Sequence, residues 1–151
     1  ANRIVNHGLS NNLIMELKNN DIVKPEVFFN KETRFDFLIE KNGQKSFVEV
    51  KNVTLFRDKK TAEFPDAITT RGSKHLRELS LISKSGLRAV MLYLIQRNDC
   101  NFFKIAQDID TEYAEEFNNA LNAGVEVICM DTILSNKAID IGKNIQLLIN
   151  K

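Results

Sequence analysis

Asn42-Gly43, set between two runs of alternating apolar residues, restricts this chain more than any other feature. Asn and Gly accept the left-handed backbone that a two-residue turn needs, so the pair reads as the tip of a β-hairpin. Its arms are Arg34 to Ile39 and Ser46 to Val53. A turn centred there gives antiparallel partners whose numbers sum to 85, which sets Asp36 across from Glu49 and Arg34 across from Lys51. Alternation places Phe35, Phe37 and Ile39 on one face and Arg34, Asp36 and Leu38 on the other, while Val48 and Val50 turn Glu49 and Lys51 together to the charged side.

Directly opposed side chains approach closely enough for like charges to destabilise a sheet. Two carboxylates about 5 Å apart at an effective dielectric near 20 repel by about 3 kcal/mol. Two arrangements offset that cost. In one, Arg34 neutralises Glu49 and Lys51 neutralises Asp36 across the diagonals of a solvent-facing quartet. In the other, the carboxylates hold a divalent cation, since Mg²⁺ is commonly bound through one or two carboxylates while keeping several waters. Lys51 then stands where it can orient or deprotonate the attacking water.

The rest of the chain supplies a scaffold. Its 151 residues, 43% hydrophobic and 27% charged, fit one ordinary globular domain over residues 1–151. Ser10 is positioned to cap a helix carrying Leu13, Ile14 and Leu17, ended by Asn19-Asn20. Strand-like pieces follow at Val27 to Phe29 and along the two hairpin arms. After Phe64-Pro65-Asp66, Thr69 or Thr70 caps a helix that Gly86 ends. Arg88 to Gln96 holds seven consecutive apolar residues, the pattern of a strand covered on both faces. Asp110 caps another helix with Tyr113, Phe117 and Leu121, Gly124 stops it, and Val125 to Met130 reads as a second buried strand. Only short strand or loop pieces are expected beyond Asp131. This order predicts an α/β fold with a mixed central sheet flanked by helices.

Composition narrows function as well. The longest apolar run, Ala89 to Ile95, is too short to cross a bilayer, and nothing near Ala1 reads as an export signal, so the expected location is cytoplasmic. Cys100 and Cys129 have no companion ligands at zinc or disulfide spacing and are expected to be reduced thiols. A net charge of +1 excludes a strong global attraction to nucleic acid. Any such contact has to come from a local cluster.

An acid on one strand followed by Glu-x-Lys on its hairpin partner is the pattern of the PD-(D/E)xK nuclease superfamily. The surrounding text is more specific: Arg34-Phe35-Asp36-Phe37, Val48-Glu49-Val50-Lys51-Asn52-Val53-Thr54-Leu55, Phe64-Pro65-Asp66-Ala67 with Thr69, Arg71 and Gly72, Lys74-His75-Leu76-Arg77-Glu78-Leu79, Arg88-Ala89-Val90 and Gly124-Val125-Glu126. From roughly Asn2 to Met130 the chain closely resembles the sugar fermentation stimulation protein A (SfsA) family. The resemblance implies a PD-(D/E)xK, restriction-endonuclease-like core, DNA binding, and a role in regulating bacterial sugar (maltose) metabolism. It also implies an N-terminal domain like an oligonucleotide-binding barrel, which is expected to be absent from this chain. Phe35 stands where the superfamily motif has a proline before its first acid, and Pro65-Asp66 follows Glu-x-Lys instead of preceding it. The carboxylate alone meets a metal, so the missing proline removes no ligand.

The helix after the hairpin carries Leu76, Leu79, Ile82 and His75 within one arc, with Arg71, Lys74 and Arg77 on the adjoining flank. His75 reads either as a boundary residue of the core or as a group that reaches a phosphate. The basic flank, with Arg34, reads either as solvated surface or as a DNA contact that positions the backbone without strong sequence specificity. Glu16, Glu63 and Asp66 are candidates for a third acid. Three functions follow: hydrolysis of DNA phosphodiesters dependent on Mg²⁺ or Mn²⁺, with Asp36, Glu49 and the Val50 carbonyl on the metal and Lys51 on the water; DNA binding without turnover; and, more distantly, a sugar- or partner-binding module.

Overall fold

A computed structural model describes residues 1–135 and 138–149. The hairpin forms as its sequence demands: β2 (Arg34–Lys41) and β3 (Gln44–Val53) pair antiparallel in the expected register, from Lys41 opposite Gln44 to Phe37 opposite Val48. Asn42 and Gly43 take φ values of 53° and 78°, the left-handed pair that closes such a turn. β1 (Ile22–Phe28) edges this hairpin; its Pro25, which lacks an amide to donate, is tolerated at a sheet edge.

Beyond the hairpin the chain crosses over twice. α2 (Thr70–Lys84) leads to β6 (Arg88–Ile95), and α3 (Thr111–Asn122) leads to β8 (Glu126–Leu134); β6 pairs parallel with β3 on one side and β8 on the other. β9 (Ile139–Asn144) adds antiparallel, so the main sheet runs β1-β2-β3-β6-β8-β9. Met91, Tyr93 and Ile95 of β6 enter a core under α2 and α3, and Val90, Leu92 and Leu94 enter a second core under the N-terminal segment. That two-sided burial is what a strand of uninterrupted apolar residues requires. Both helix starts follow expectation, Thr69 accepting from the Gly72 amide at 2.9 Å and Asp110 from the Tyr113 amide at 3.0 Å. Gly86 and Gly124 follow the helices with φ near 95°.

In four places the structure departs from the expectations or goes beyond them. The first helix, α1 (Asn2–Ser10), ends where one was expected to begin. Val5 and Leu9, one turn apart, are its buried stripe, and Ile14 and Leu17 reach the same core from an irregular segment with a short 3-10 turn (Met15–Leu17). Asn12 and Asn19 adopt positive φ there, which breaks the helical pattern. Second, a small four-stranded sheet, ordered β10-β7-β5-β4, was not anticipated: β4 (Leu55–Asp58), β5 (Thr61–Phe64), β7 (Phe102–Ile105) and β10 (Gln146–Leu147). Four residues or fewer are too short to display alternation. Third, β8 runs on to Leu134, so the pieces expected beyond Asp131 are this strand end, β9 and β10, with 136–137 and 150–151 outside the described residues. Fourth, Phe35 does not share a face with Phe37 and Ile39. It packs in the core under α2 with Leu38 and Phe47, while Phe37 and Ile39 lie in the opposite core. Among the described residues, no helix is long and apolar enough to cross a membrane.

Candidate active site

The reversal of Phe35 is centred on Asp36, and the site grows from it. The β2–β3 pairing stops at Phe37 and Val48. One residue further, the Asp36 carboxylate, in place of a backbone carbonyl, accepts the Val50 amide at 2.8 Å. On the β1 side, Glu26 opposite takes φ 53° between the pairs Pro25–Phe37 and Val27–Phe35. Amide and carbonyl of one strand residue point to the same neighbouring strand. The Val50 carbonyl therefore opens toward Asp36, beyond the end of the ladder.

Glu49 and Lys51 share the face under α2. Glu49 is only 3% exposed, so the charged face is covered by the helix, not turned to solvent. Lys51 Nζ lies 3.4 Å from Glu49 Oε2, and His75 Nδ1 from α2 contacts that same oxygen and lies 3.1 Å from Lys51 Nζ. A single ring nitrogen thus faces an acceptor and a donor, and the position of one proton decides whether it donates to Glu49 or accepts from Lys51. Asn2 of α1 completes the group by donating to Asp36 Oδ1 at 2.8 Å.

These contacts set the electrostatics of the two acids. Burial, then the hydrogen bond and charge of Glu49, push the Asp36 carboxyl up to about 6, against the Val50 amide and Asn2, which draw it down. Burial would raise Glu49 too, but His75, Asp36 and Lys51 outweigh it and hold Glu49 down at about 2. The acids are thereby driven apart, one readily protonated and one firmly ionised, a pattern typical of functional sites.

The structure thus brings Asp36, Glu49, Val50, Lys51 and His75 together. The diagonal quartet does not form, because pairing ends before Asp36 and Glu49's partners are Lys51 and His75. Arg34 instead pairs across to Phe28, its guanidinium 5.9 Å from the ring centre. Beside His75 a groove of about 600 Å³ is lined by Phe28, Glu32, Arg34, Thr70, Arg71, Lys74 and Arg77, so all five residues expected to contact DNA border one hollow. Two of its cations are offset: Lys74 lies 3.7 Å from Glu32, and Arg77 lies 3.3 Å from Glu112 and 3.8 Å from Glu116. His75 is 5% exposed and belongs mainly to the Glu49 cluster.

The candidates for a third acid are engaged elsewhere. Glu16 accepts from the Asn144 side chain, Glu63 is buried against Arg57 at 2.6 and 2.8 Å, and Asp66 accepts from Thr54. Among the described residues, no three His, Cys, Asp or Glu side chains converge in a metal-holding arrangement. What remains is a set of hard oxygen donors, two carboxylates and the Val50 carbonyl. Such a set suits Mg²⁺, Mn²⁺ or Ca²⁺ with most of its shell supplied by water. Cys100 and Cys129 are free and buried, and burial pushes the Cys129 thiol up to about 12.

Sequence reading missed Asn2, for which the sequence carries no signal, and the acids of α3 that meet Arg77. It also missed Phe28, 63% exposed, whose place beside basic residues in one groove emerges only from the fold.

A mixed sheet with helices on both faces, carrying an acid on one strand beside Glu-x-Lys on the next, defines a mixed α/β domain of the restriction-endonuclease-like class. A family model described as the sugar fermentation stimulation protein RE domain matches residues 1–138. A sugar fermentation stimulation protein homolog of Pelagibacter ubique is 56% identical over 98% of this chain, and one of Roseobacter denitrificans is 43% identical over 93%. The chain belongs to the SfsA family. It spans 64% and 60% of the length of those two relatives. Among solved structures, Pyrococcus furiosus SfsA in complex with Ca²⁺ superposes with a TM-score of 0.85 at 29% identity, covering 94% of this chain and 61% of that one.

Proposed function

We propose that this domain hydrolyses phosphodiester bonds in DNA with the help of Mg²⁺ or Mn²⁺. The observation that carries the reading is the meeting of the Asp36 and Glu49 carboxylates at the end of the hairpin ladder, with Lys51 Nζ 3.4 Å from Glu49. The Ca²⁺ of the Pyrococcus relative is a hard cation of the kind these oxygens suit, and so supports the assignment.

Asp36, Glu49 and the Val50 carbonyl would hold the cation, which when bound neutralises charge on the phosphoryl oxygens and makes water a better nucleophile. Asp36 has to be ionised for this, so it gives up the proton that burial and Glu49 favour. Lys51 is aimed by Glu49 and His75, and its ammonium can donate to the attacking water and hold it in place, whereas taking up the water's proton requires the neutral amine. His75 ties Glu49 to α2 and so fixes the carboxylate that β3 presents. Arg34, Arg71 and Lys74 line the adjoining groove and supply contacts to successive phosphates with no base reading.

Incubation of plasmid and single-stranded DNA with Mg²⁺ or Mn²⁺ tests this reading. Cutting by the wild-type protein and none by Glu49→Ala or Lys51→Ala is expected, while cutting that survives both substitutions would remove the enzyme assignment. A second reading is favoured by the closed Glu49–His75–Lys51 contacts: a DNA-binding regulator of sugar metabolism that keeps the scaffold without turnover. DNA retention without any cutting would select it.

A further inference from the structure

We infer that the basic groove takes a nucleic-acid strand with an unpaired base, and that Phe28 is the platform on which this base stacks. The inference rests on the DNA-binding reading of the groove and adds the substrate class. Phe28 is 63% exposed at the end of β1, on the lip of the same hollow as Arg34, Arg71 and Lys74. A large aromatic left in water at the margin of a cationic groove is the pairing that binds single strands, because every base offers a π-face and the cations follow the backbone. In an intact duplex those faces are covered by neighbouring bases, so the ring gains little from it.

The platform is held rigidly. The next residue, Phe29, though still partly exposed, packs edge-on against Phe35 at 6.1 Å and Phe47 at 5.9 Å between ring centres. Asn30 Oδ1 accepts the Glu32 and Thr33 amides at 2.9 and 2.7 Å, and the Phe29 amide donates to the Thr33 carbonyl at 2.9 Å. These bonds fix the turn between β1 and β2. Arg34, paired opposite Phe28, places a guanidinium near one side of the ring and leaves a flat surface for a base. His75 borders the groove and touches Glu49, so a strand anchored at Phe28 passes close to the acids.

The test measures binding of a short mixed-sequence oligonucleotide, single-stranded or annealed to its complement, with chelator present so that nothing is cut. Wild-type protein is expected to prefer the single strand. Phe28→Ala should weaken single-strand binding by about 5- to 150-fold, the effect of losing one stacked base, and change duplex binding less than about twofold. Leu134→Ala, which removes a still more exposed apolar side chain far along the sheet, should change neither. The chain holds no tryptophan, so Phe28→Trp installs a single indole whose emission, excited apart from the two tyrosines, the single strand should quench. Equal losses for both forms in Phe28→Ala, or no loss, or unmoved fluorescence at saturating single strand, would overturn the stacking role while leaving the groove intact. Wild-type protein that binds neither form would overturn the DNA reading itself.

Discussion

Glu49 and His75, one from the centre of β3 and one from α2, touch in a site where they are only 3% and 5% exposed. A buried carboxylate needs partners, and Glu49 has found its own in the helix that covers the hairpin. The contact joins the stability of the domain to the geometry of the proposed metal site.

Removing one side of that contact leaves the other unpaired. Glu49→Ala is expected to lower unfolding free energy by about 1–3 kcal/mol, and Glu49→Gln, which keeps an acceptor for His75, by less. Denaturant titration of the two variants checks the order. Equal losses would show that packing, not the hydrogen bond, holds α2 here.

The split between the two acids gives a pH dependence. Asp36 is raised from 3.8 to about 6, so between those values the folded chain binds more protons than the unfolded one, and protonation of Asp36 favours folding. Above about 6 its ionisation weakens the metal-free fold. Glu49 runs the other way: lowered from 4.5 to about 2, it contributes stability above 4.5 that is lost as pH falls toward 2. Asn can accept the Val50 amide and donate to Glu49 as protonated Asp does. Metal-free Asp36→Asn should therefore melt above wild type at pH 7.5, with the gap narrowing as pH falls below about 6 and closing only near 3.8, as thermal scans from pH 7.5 down to 4 would record. A gap independent of pH would contradict the Asp36 assignment.

Much of this arrangement was legible in the sequence, because the hairpin turn, the alternation around Val48 and Val50 and the apolar run Ala89 to Ile95 each report a local rule. The register held as far as Phe37 and Val48. It did not carry to Phe35, because the Asp36 side chain takes the amide that the next backbone carbonyl would have taken, and alternation cannot register a side chain acting as backbone. His75 sat on the apolar arc of α2 as a wheel of that helix shows, but its partner lies on another element. For the same reason the reading of Arg77 as solvated surface or DNA contact left out Glu112 and Glu116 of α3, which face it.

Those offsets rank the groove cations. Charge reversal at Arg34 or Arg71 should weaken DNA retention more than reversal at Arg77, whose charge is already shared with two acids. Each lost phosphate contact should flatten the dependence of log affinity on log salt by about 0.9 for duplex DNA or 0.7 for single strands. Titrations at several salt concentrations test both statements, and an unchanged slope for Arg34→Glu and Arg71→Glu would exclude this surface.

Asp110 links the two covering helices. One carboxylate oxygen caps α3 through the Tyr113 amide, and the other accepts the Thr69 amide at 2.8 Å, at the start of α2. Asp110→Ala should cost about 2–4 kcal/mol, a cap and a second buried hydrogen bond together. Because it loosens the start of α2, it should also raise amide exchange around His75. Exchange confined to α3 would refute the link.

Beneath the site, the Tyr93 and Tyr113 hydroxyls hydrogen-bond each other in a fully buried position. Tyr113→Phe alone strands the Tyr93 hydroxyl and should cost about 1–3 kcal/mol, whereas Tyr93→Phe with Tyr113→Phe removes both polar groups and should cost less than either single change. Chemical denaturation of the three variants decides this, and additive losses would contradict it.

Calorimetric titration with Mn²⁺ at pH 7.5 addresses the central claim most directly, because it reads the cation apart from any turnover. The wild-type chain should show a saturable site that Asp36→Asn and Glu49→Gln each abolish or weaken severely while remaining folded. Binding heats that are the same in all three proteins, or absent from the wild type, would contradict a metal site built on these two carboxylates.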